Sequence, residues 1–520
     1  MSDPFEPVTA AVDALQAAVA SAHADVSGEL AAAAQQHAAD RARIAELEAQ
    51  LATQPTPDPD PAPAPDPTPD PTPAPGPDPT PTPTPTPDPA APGVQAVVAD
   101  SFVDTIGVCV HLDYSGVYTE WTDGARTRDR ILELGVRNLR NRAMIGGSQG
   151  QRDSVYYQRM RELAAAGVRM NLTTQAYGEG GRPVTDWSQL AQIPDWTGGG
   201  VRTLEGQNEP PSGQLVAARA GNRALWQAVQ GSPDLADVKV VGSALVFAAS
   251  LWSAYVGGPG IDGDRSRWEF DPAEFCDYGN WHPYPGAMPP TIVGGSHDHV
   301  PFSMRDAKMY GVGDWNGQSF GDNGFFITEC DYTTALAHGP RSHYPISPAG
   351  QGRYVLREFF EYHRMGYARS FAYELMDQGA DNSSNPEMNF GWCYRDGTPK
   401  PAYTAVRNLI SLLADPGPAF TPGKLDYTVT GGDADVRHTL LAKCDGSFWL
   451  AIWQDKSVWD RVKQLDLTPP DQQVTLTLGA DATVTRYLPR VSTAGSPVPV
   501  TQRTATIQVP AEVALLRIAA

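Results

Sequence analysis

Cysteine is scarce in this 520-residue chain: five residues, Cys109, Cys276, Cys330, Cys393 and Cys444, odd in number, scattered and never spaced as CxxC. That pattern excludes a disulfide scaffold and a zinc ribbon. Basic residues are also few, with 39 Lys and Arg against 60 Asp and Glu and a formal net charge of −21. A surface of that sign repels phosphate backbones, so nucleic acid is not expected as a partner. No apolar run approaches the ~18 residues that cross a bilayer, and no membrane span is expected. The amino terminus, MSDPFEPV, carries acids where a secretory signal carries Lys or Arg, with no uninterrupted apolar stretch behind it. Ordinary Sec export is therefore not expected. Neither an HExxH motif nor a clustered histidine triad is present. Metal hydrolysis is not indicated, and no metal or other cofactor is expected.

Proline, by contrast, is in excess, with 48 residues. From residue 55 to residue 89 every odd position is proline, with Thr, Asp, Ala and one Gly between. With φ fixed and amide donors removed, the run from Pro55 to Pro92 favours polyproline II at ~3.1 Å per residue and spans roughly 120 Å. Residues 54–93 thus read as a stiff spacer, a disordered tail being the alternative. Ahead of them, in residues 1–53, an apolar seam spaced by fours and threes runs through Val8, Val12, Leu15, Val19, Ala22 and Val26. It continues through Leu30, Ala33, His37, Asp40, Ile44, Leu47 and Leu51, with a stutter near Gly28. An alanine-rich helix of this length needs a partner along its seam, so residues 8–51 are expected to form a homo-oligomer or to dock on a larger assembly. His37 and Asp40 weaken the seam, and a lone amphipathic helix is the alternative.

After Gly93 short β-rich runs alternate with helical patterns. Eight such runs begin at Ile106, Val136, Val168, Val201, Val238, Tyr278, Phe325 and Arg369. Segments such as RTRDRILELG and YYQRMRELAAAG between them place apolar residues at helical spacing and stop at glycine. Eight βα units predict a (β/α)₈ barrel over residues 94–418. A doubly wound open sheet is the alternative, but no glycine-rich phosphate fingerprint follows an early strand. From about residue 419 the period switches to two, in HTLLAKC, SFWLAIWQD, QVTLTLG, ATVTRYLP and ATIQVPAEVALLRI. Residues 419–520 are expected to form an antiparallel β-sandwich that packs on the barrel.

In a parallel barrel the reactive groups lie at the carboxyl ends of the strands. Those ends carry His111 and Asp113, Arg140, Asn208 and Glu209, His282 and Tyr284, Glu329 and Asp331, and Glu374. A set rich in carboxylates suits glycoside hydrolysis, which needs one protonated acid and one ionised carboxylate. A separation of about 5–5.5 Å gives retention, and roughly 6.5–9.5 Å gives inversion. Asp331 is the rival of Glu329 as nucleophile. Glu205, four residues before Glu209 on the same strand, is expected deeper in the barrel in a salt bridge.

The motifs QNEP ending strand four, ITEC ending strand seven, GVRNLR at strand two and WHPYP at strand six resemble clan A glycoside hydrolases. The likeness covers roughly residues 106–413. It implies that Glu209 is the acid/base, Glu329 the nucleophile, Asn208 a donor to the sugar 2-hydroxyl and Arg140 a support for the nucleophile, with His282 and Tyr284 in the site wall. His111, Trp281, Glu374 and Trp392 join these as expected substrate-binding residues. Where clan members often present a tryptophan floor at the end of strand eight, this chain has Tyr373, Glu374 and Leu375. Sugar stacking is then expected from Trp392, Tyr177 or Trp281. Glu374 is expected to bind a hydroxyl or cation, or to pair with Arg140. Residues 286–324, with His297, Asp298, His299 and Trp315, are long enough to wall the mouth.

These roles predict an ionised Glu329 aided by Arg140 and a Glu209 protonated through burial and the nearby charge. The whole chain reads as a retaining glycoside hydrolase acting on a poly- or oligosaccharide, held on a helical anchor through a stiff spacer. An extracellular or virion-associated location is expected, since the layout resembles tail-associated enzymes of bacteriophages; a secreted polysaccharidase is the alternative. A non-catalytic glycan-binding protein on the same barrel is the rival reading.

Overall fold

The computed structural model describes residues 93–119, 126–145, 150–174, 186–244, 255–258, 269–293, 302–303, 323–341 and 343–520. The expected helical segment at 1–53 and nearly all of the spacer lie outside these residues. So do Tyr177, His297, Asp298, His299 and Trp315.

Eight parallel strands close a barrel: β1 (Ile106–Cys109), β2 (Asn138–Arg142), β3 (Arg169–Thr173), β4 (Val201–Glu205), β5 (Lys239–Val241), β6 (Tyr278–Trp281), β7 (Gly324–Cys330) and β8 (Arg369–Ala372). Each falls within or beside a run expected from sequence, and pairing of Ser370 with Ile106 joins β8 back to β1. Helices cover the outside because their apolar stripes match the outward strand residues. In α1 (Thr127–Leu134) Ile131 and Leu134 are buried, and Gly135 at φ 75° ends the helix in the left-handed conformation that glycine adopts without strain. In α2 (Val155–Ala165) Ser154 caps the first turn through Tyr157 N, and Tyr157, Met160 and Leu163 face the strands. Helices α3 (Leu215–Gln230), α4 (Pro348–Arg364) and α5 (Pro401–Leu413) continue the layer.

Strand alternation sorts the barrel side chains into two sets. Val108, Leu139, Leu172, Leu204, Val240 and Ala372 point outward into the helical core. Inside, Cys109, Val241, Phe326 and Phe371 form an apolar floor. Gly107 is required there, since a Cβ at that position would stand 2.4 Å from the Phe371 ring. The layer above the floor is polar and carries Arg140, Asn171, Thr203, Glu205, Asn280 and Thr328.

The carboxyl-terminal domain is the expected antiparallel sandwich. One sheet joins β9 (Tyr427–Thr430), β12 (Gln472–Leu478) and β15 (Thr504–Val509). The other joins β10 (Val436–Ala442), β11 (Phe448–Gln454), β16 (Ala514–Ala519), β13 (Thr483–Tyr487) and β14 (Gly495–Val498). Residues 94–98, grouped with the barrel by sequence, belong here instead: Val97–Val98 pairs with Leu441–Ala442, and Val94–Gln95 with Lys424–Leu425. The chain therefore passes through the sandwich before it enters the barrel. Strand β11 is apolar on both faces because it meets two cores. Leu450 and Ile452 fill the sandwich, while Trp449, Ala451 and Trp453 join the barrel cluster. Trp453 packs at a tilt against Phe360 of α4 and donates to Glu361 at 3.0 Å, and the buried Arg357 binds Asp455 at 2.7 Å.

Candidate active site

Arg140, inward on β2, organises the mouth. Its Nε and Nη2 donate to the two oxygens of Glu205 at 2.9 and 2.7 Å, Nη1 to Glu329 Oε1 at 2.6 Å, and Nη2 also to Asn208 Oδ1 at 2.5 Å. Glu205 is fully buried and further held by Asn171 at 2.6 Å and Asn280 at 3.1 Å, so it sits deep in a salt bridge, as its position on β4 implied. Asn208 turns its carbonyl to Arg140.

Glu329 ends β7 with 10% of its side chain exposed. Tyr284 donates to its Oε2 at 2.7 Å. Burial raises its pKa, but His282, Arg140 and Tyr284 outweigh that effect and hold it down at about 2. It is a carboxylate throughout the neutral range. Glu209 follows β4 at φ 38°, a conformation that strains a non-glycine residue by about 1–3 kcal/mol, and its N–H is tied to Ala244 O at 2.9 Å. Its side chain is 34% exposed, less buried than expected from sequence. What it has instead is His282, whose Nδ1 lies 2.7 Å from Glu209 Oε1 and 3.6 Å from Glu329 Oε2. Burial works against the charged imidazole, but Glu329 and Glu209 outweigh it and His282 lies above the ordinary histidine pKa.

A carboxylate oxygen of Glu209, one of Glu329 and a ring nitrogen of His282 all lie within 4.8 Å of one another. These are the only His, Cys, Asp or Glu groups among the described residues clustered tightly enough for a metal ion. The Arg140 charge on the same glutamate opposes a cation there. Both glutamates line a cavity of about 360 Å³, together with His111, Tyr114, Arg140, Arg142, Asn208 and Tyr373 among others. His111 stacks on Tyr114 at 4.4 Å, and burial, followed by the charge of Arg142, lowers its pKa to about 3. It is a neutral part of the cavity wall.

Three expected substrate contacts fail. Trp281 lies on β6 between the inward Asn280 and His282, so alternation turns it outward against Ile327 and Tyr362. Trp392 is fully buried in the helical core and donates its indole N–H to Asp331. Glu374 is fully buried, bound by Tyr118 at 2.6 Å and Gln378 at 2.8 Å, and does not pair with Arg140. It meets the cavity wall only through His111, 3.4 Å away. Asp331 is likewise withdrawn, and burial raises its pKa to about 8, which unfits it as a nucleophile.

Sequence reading missed Thr328, Asn280 and Asn171, which join Glu205 to the mouth. Polar residues at every second strand position, as in Asn138, Arg140 and Arg142 or Asn280 and His282, were the available signal.

No protein-family model and no curated protein matches the sequence. Among solved structures, a family 39 glycoside hydrolase from the gut symbiont Bacteroides cellulosilyticus WH2 is similar in fold, with a TM-score of 0.54 at 15% identity over 81% of this chain and 82% of that one. A glucosidase from Croceicoccus marinus gives a TM-score of 0.50 at 13% identity, over 82% of this chain and 98% of that one. The chain thus shares with these proteins the architecture of a (β/α)₈ barrel carrying a β-sandwich.

Proposed function

We propose that the barrel is a retaining glycoside hydrolase. The observation that carries the reading is the pair Glu209 and Glu329, whose nearest oxygens lie within 4.8 Å across one cavity. That spacing suits direct attack and leaves no room for the water of an inverting mechanism. In this reading Glu329 attacks the anomeric carbon while Glu209 gives a proton to the departing oxygen. A glycosyl ester on Glu329 results, and Glu209 then takes a proton from the water that releases the sugar. Arg140 and Tyr284 keep Glu329 ionised and aimed, Asn208 offers its amide to a sugar hydroxyl, and His111 and Tyr284 shape the wall. The fold shared with two glycoside-cleaving proteins supports the assignment. From the sequence alone, residues 8–51 are read as a segment that gathers copies of the chain or fixes them to a larger assembly, extracellular or on a virion, with the proline run as a spacer.

The test is product analysis on a panel of poly- and oligosaccharides, with the anomer of the first product followed by NMR. Cleavage with retention, lost in both Glu209→Gln and Glu329→Gln, is the expected result. Tight binding without turnover by the intact protein makes it a glycan-binding protein instead, and an inverted product removes the nucleophile role from Glu329.

A further inference from the structure

The polar layer beneath the cavity has one hydroxyl that touches both glutamate systems. Thr328 Oγ1 lies 2.9 Å from His282 Nε2, 2.9 Å from Asn280 Oδ1 and 3.1 Å from Glu205 Oε1. Strict alternation allows only one of Thr328 and Glu329 to face inward, but the pairing of β7 with β8 shifts register between Ile327 and Cys330. That irregularity turns both residues toward the barrel axis.

The surrounding hydrogen bonds decide where each proton sits. Asn280 directs its amide nitrogen at Gly242 O and Glu205 Oε1, both at 3.1 Å and both pure acceptors, so its carbonyl oxygen must be the atom facing Thr328. The single hydroxyl hydrogen of Thr328 therefore has two pure acceptors within reach. Were it given to His282, the buried Asn280 oxygen would be left without a donor, an expensive arrangement in a dry site. Thr328 thus offers His282 a lone pair, and Nε2 must carry the hydrogen. On the far side of the ring, Nδ1 and Glu209 Oε1 are 2.7 Å apart, a separation that a ring lone pair and a carboxylate tolerate only with a proton between them.

We propose that Thr328 is a positioning residue that fixes the hydrogen of His282 on Nε2, so that Nδ1 and Glu209 together hold the one proton used in acid/base catalysis. The inference rests on the acid/base role proposed for Glu209. The proton leaves this pair for the departing glycosidic oxygen when that bond breaks, and the attacking water returns one when the glycosyl ester is cleaved, so the pair is unchanged after a turnover. The charged groups facing His282 fit this assignment. Burial and Arg140 oppose a full imidazolium charge, while Glu329 and Glu209 favour a proton on the ring. Tyr284 donates its hydroxyl hydrogen to Glu329.

The experiment is ¹⁵N NMR of the histidine rings in the intact chain, with the His282 signals assigned by their loss in His282→Gln. In the unaltered protein the His282 signals should show a protonated Nε2. Thr328→Val removes the lone pair, and its neutral ring should move the hydrogen to Nδ1; Thr328→Ser should keep the original pattern. In kinetics on a cleaved glycan, Thr328→Val should lower kcat on the order of 10- to 100-fold with KM little changed. The basic limb of its pH profile should move to lower pH, because an Nδ1–H donor holds Glu209 ionised, and Thr328→Ser should restore both. A neutral ring protonated on Nδ1 in the unaltered protein overturns the proposal, as does a valine variant with the original spectrum and profile. Should the valine variant not fold, the spectra of the unaltered and serine proteins still decide. Absence of turnover by every form, with the Nε2 pattern present, would instead count against the hydrolase reading.

Discussion

Replacing Arg140 with methionine removes four donor contacts and one buried charge while keeping a side chain of similar reach. The guanidinium makes two bonds to Glu205, one to Glu329 and one to Asn208. After Arg140→Met, Glu205 retains only the neutral donors Asn171 and Asn280, and Glu329 retains Tyr284 and His282. Breaking a buried ion pair from one side costs about 3–5 kcal/mol, because the abandoned charge stays buried. With two carboxylates abandoned, the loss belongs near the upper end, about 5 kcal/mol at pH 7. The sign with pH follows from Glu329, whose folded pKa of about 2 is below its ordinary value. In the unaltered protein its contribution is present above the ordinary carboxylate pKa and lost as pH falls toward 2. Without Arg140, Glu329 loses part of what offsets its burial, and the added cost of keeping it ionised is relieved as acid protonates it. Urea unfolding followed by tryptophan fluorescence at pH 7 and pH 4 should show a deficit that shrinks at the lower pH. Adding Glu205→Gln should recover part of it, since one unpaired charge disappears. A deficit below about 0.5 kcal/mol, or one independent of pH, would refute the claim that the mouth is held by buried charge pairing.

Two further substitutions test the corrected residues. Burial raises the pKa of Glu374 to about 8, so its folded form keeps a proton that the unfolded chain has already released. Stability from this site is therefore full below the ordinary carboxylate pKa and lost as pH rises through 8; Glu374→Gln should be nearly neutral at pH 5 and stabilising at pH 9, measured by thermal melts across that range. Trp392→Phe removes the indole donor from Asp331 and should cost about 1–3 kcal/mol of stability with KM unchanged. A raised KM with unaltered stability would return Trp392 to the sugar-binding surface.

The positions of the barrel strands were legible because parallel strands buried on both faces read as β-rich runs between helical stripes. Arg140, Glu205, Asn208, Glu209 and Glu329 were legible as well, since each stands at or near a strand end where the topology must bring it to one mouth. The tryptophans were not. For Trp281 the information was present but unused: its parity differs from that of Asn280 and His282, and parity alone sends it to the helical layer. Trp392 follows β8 in irregular chain, where no periodicity fixes a face, so only the hydrogen bond to Asp331 reveals its burial.

Thr328 marks a deeper limit. Two adjacent side chains share one face of a strand only where the pleat is interrupted, and nothing in GFFITEC announces an interruption, since it holds neither an internal glycine nor a proline. The shift arises from how β7 meets β8, a relation between segments some forty residues apart. A motif can select Glu329 by its chemistry. It cannot select the hydroxyl beside it, because a reading that puts Glu329 on the inner face sends its neighbour Thr328 to the outer one, and only the irregular pairing of β7 with β8 lets both face the axis.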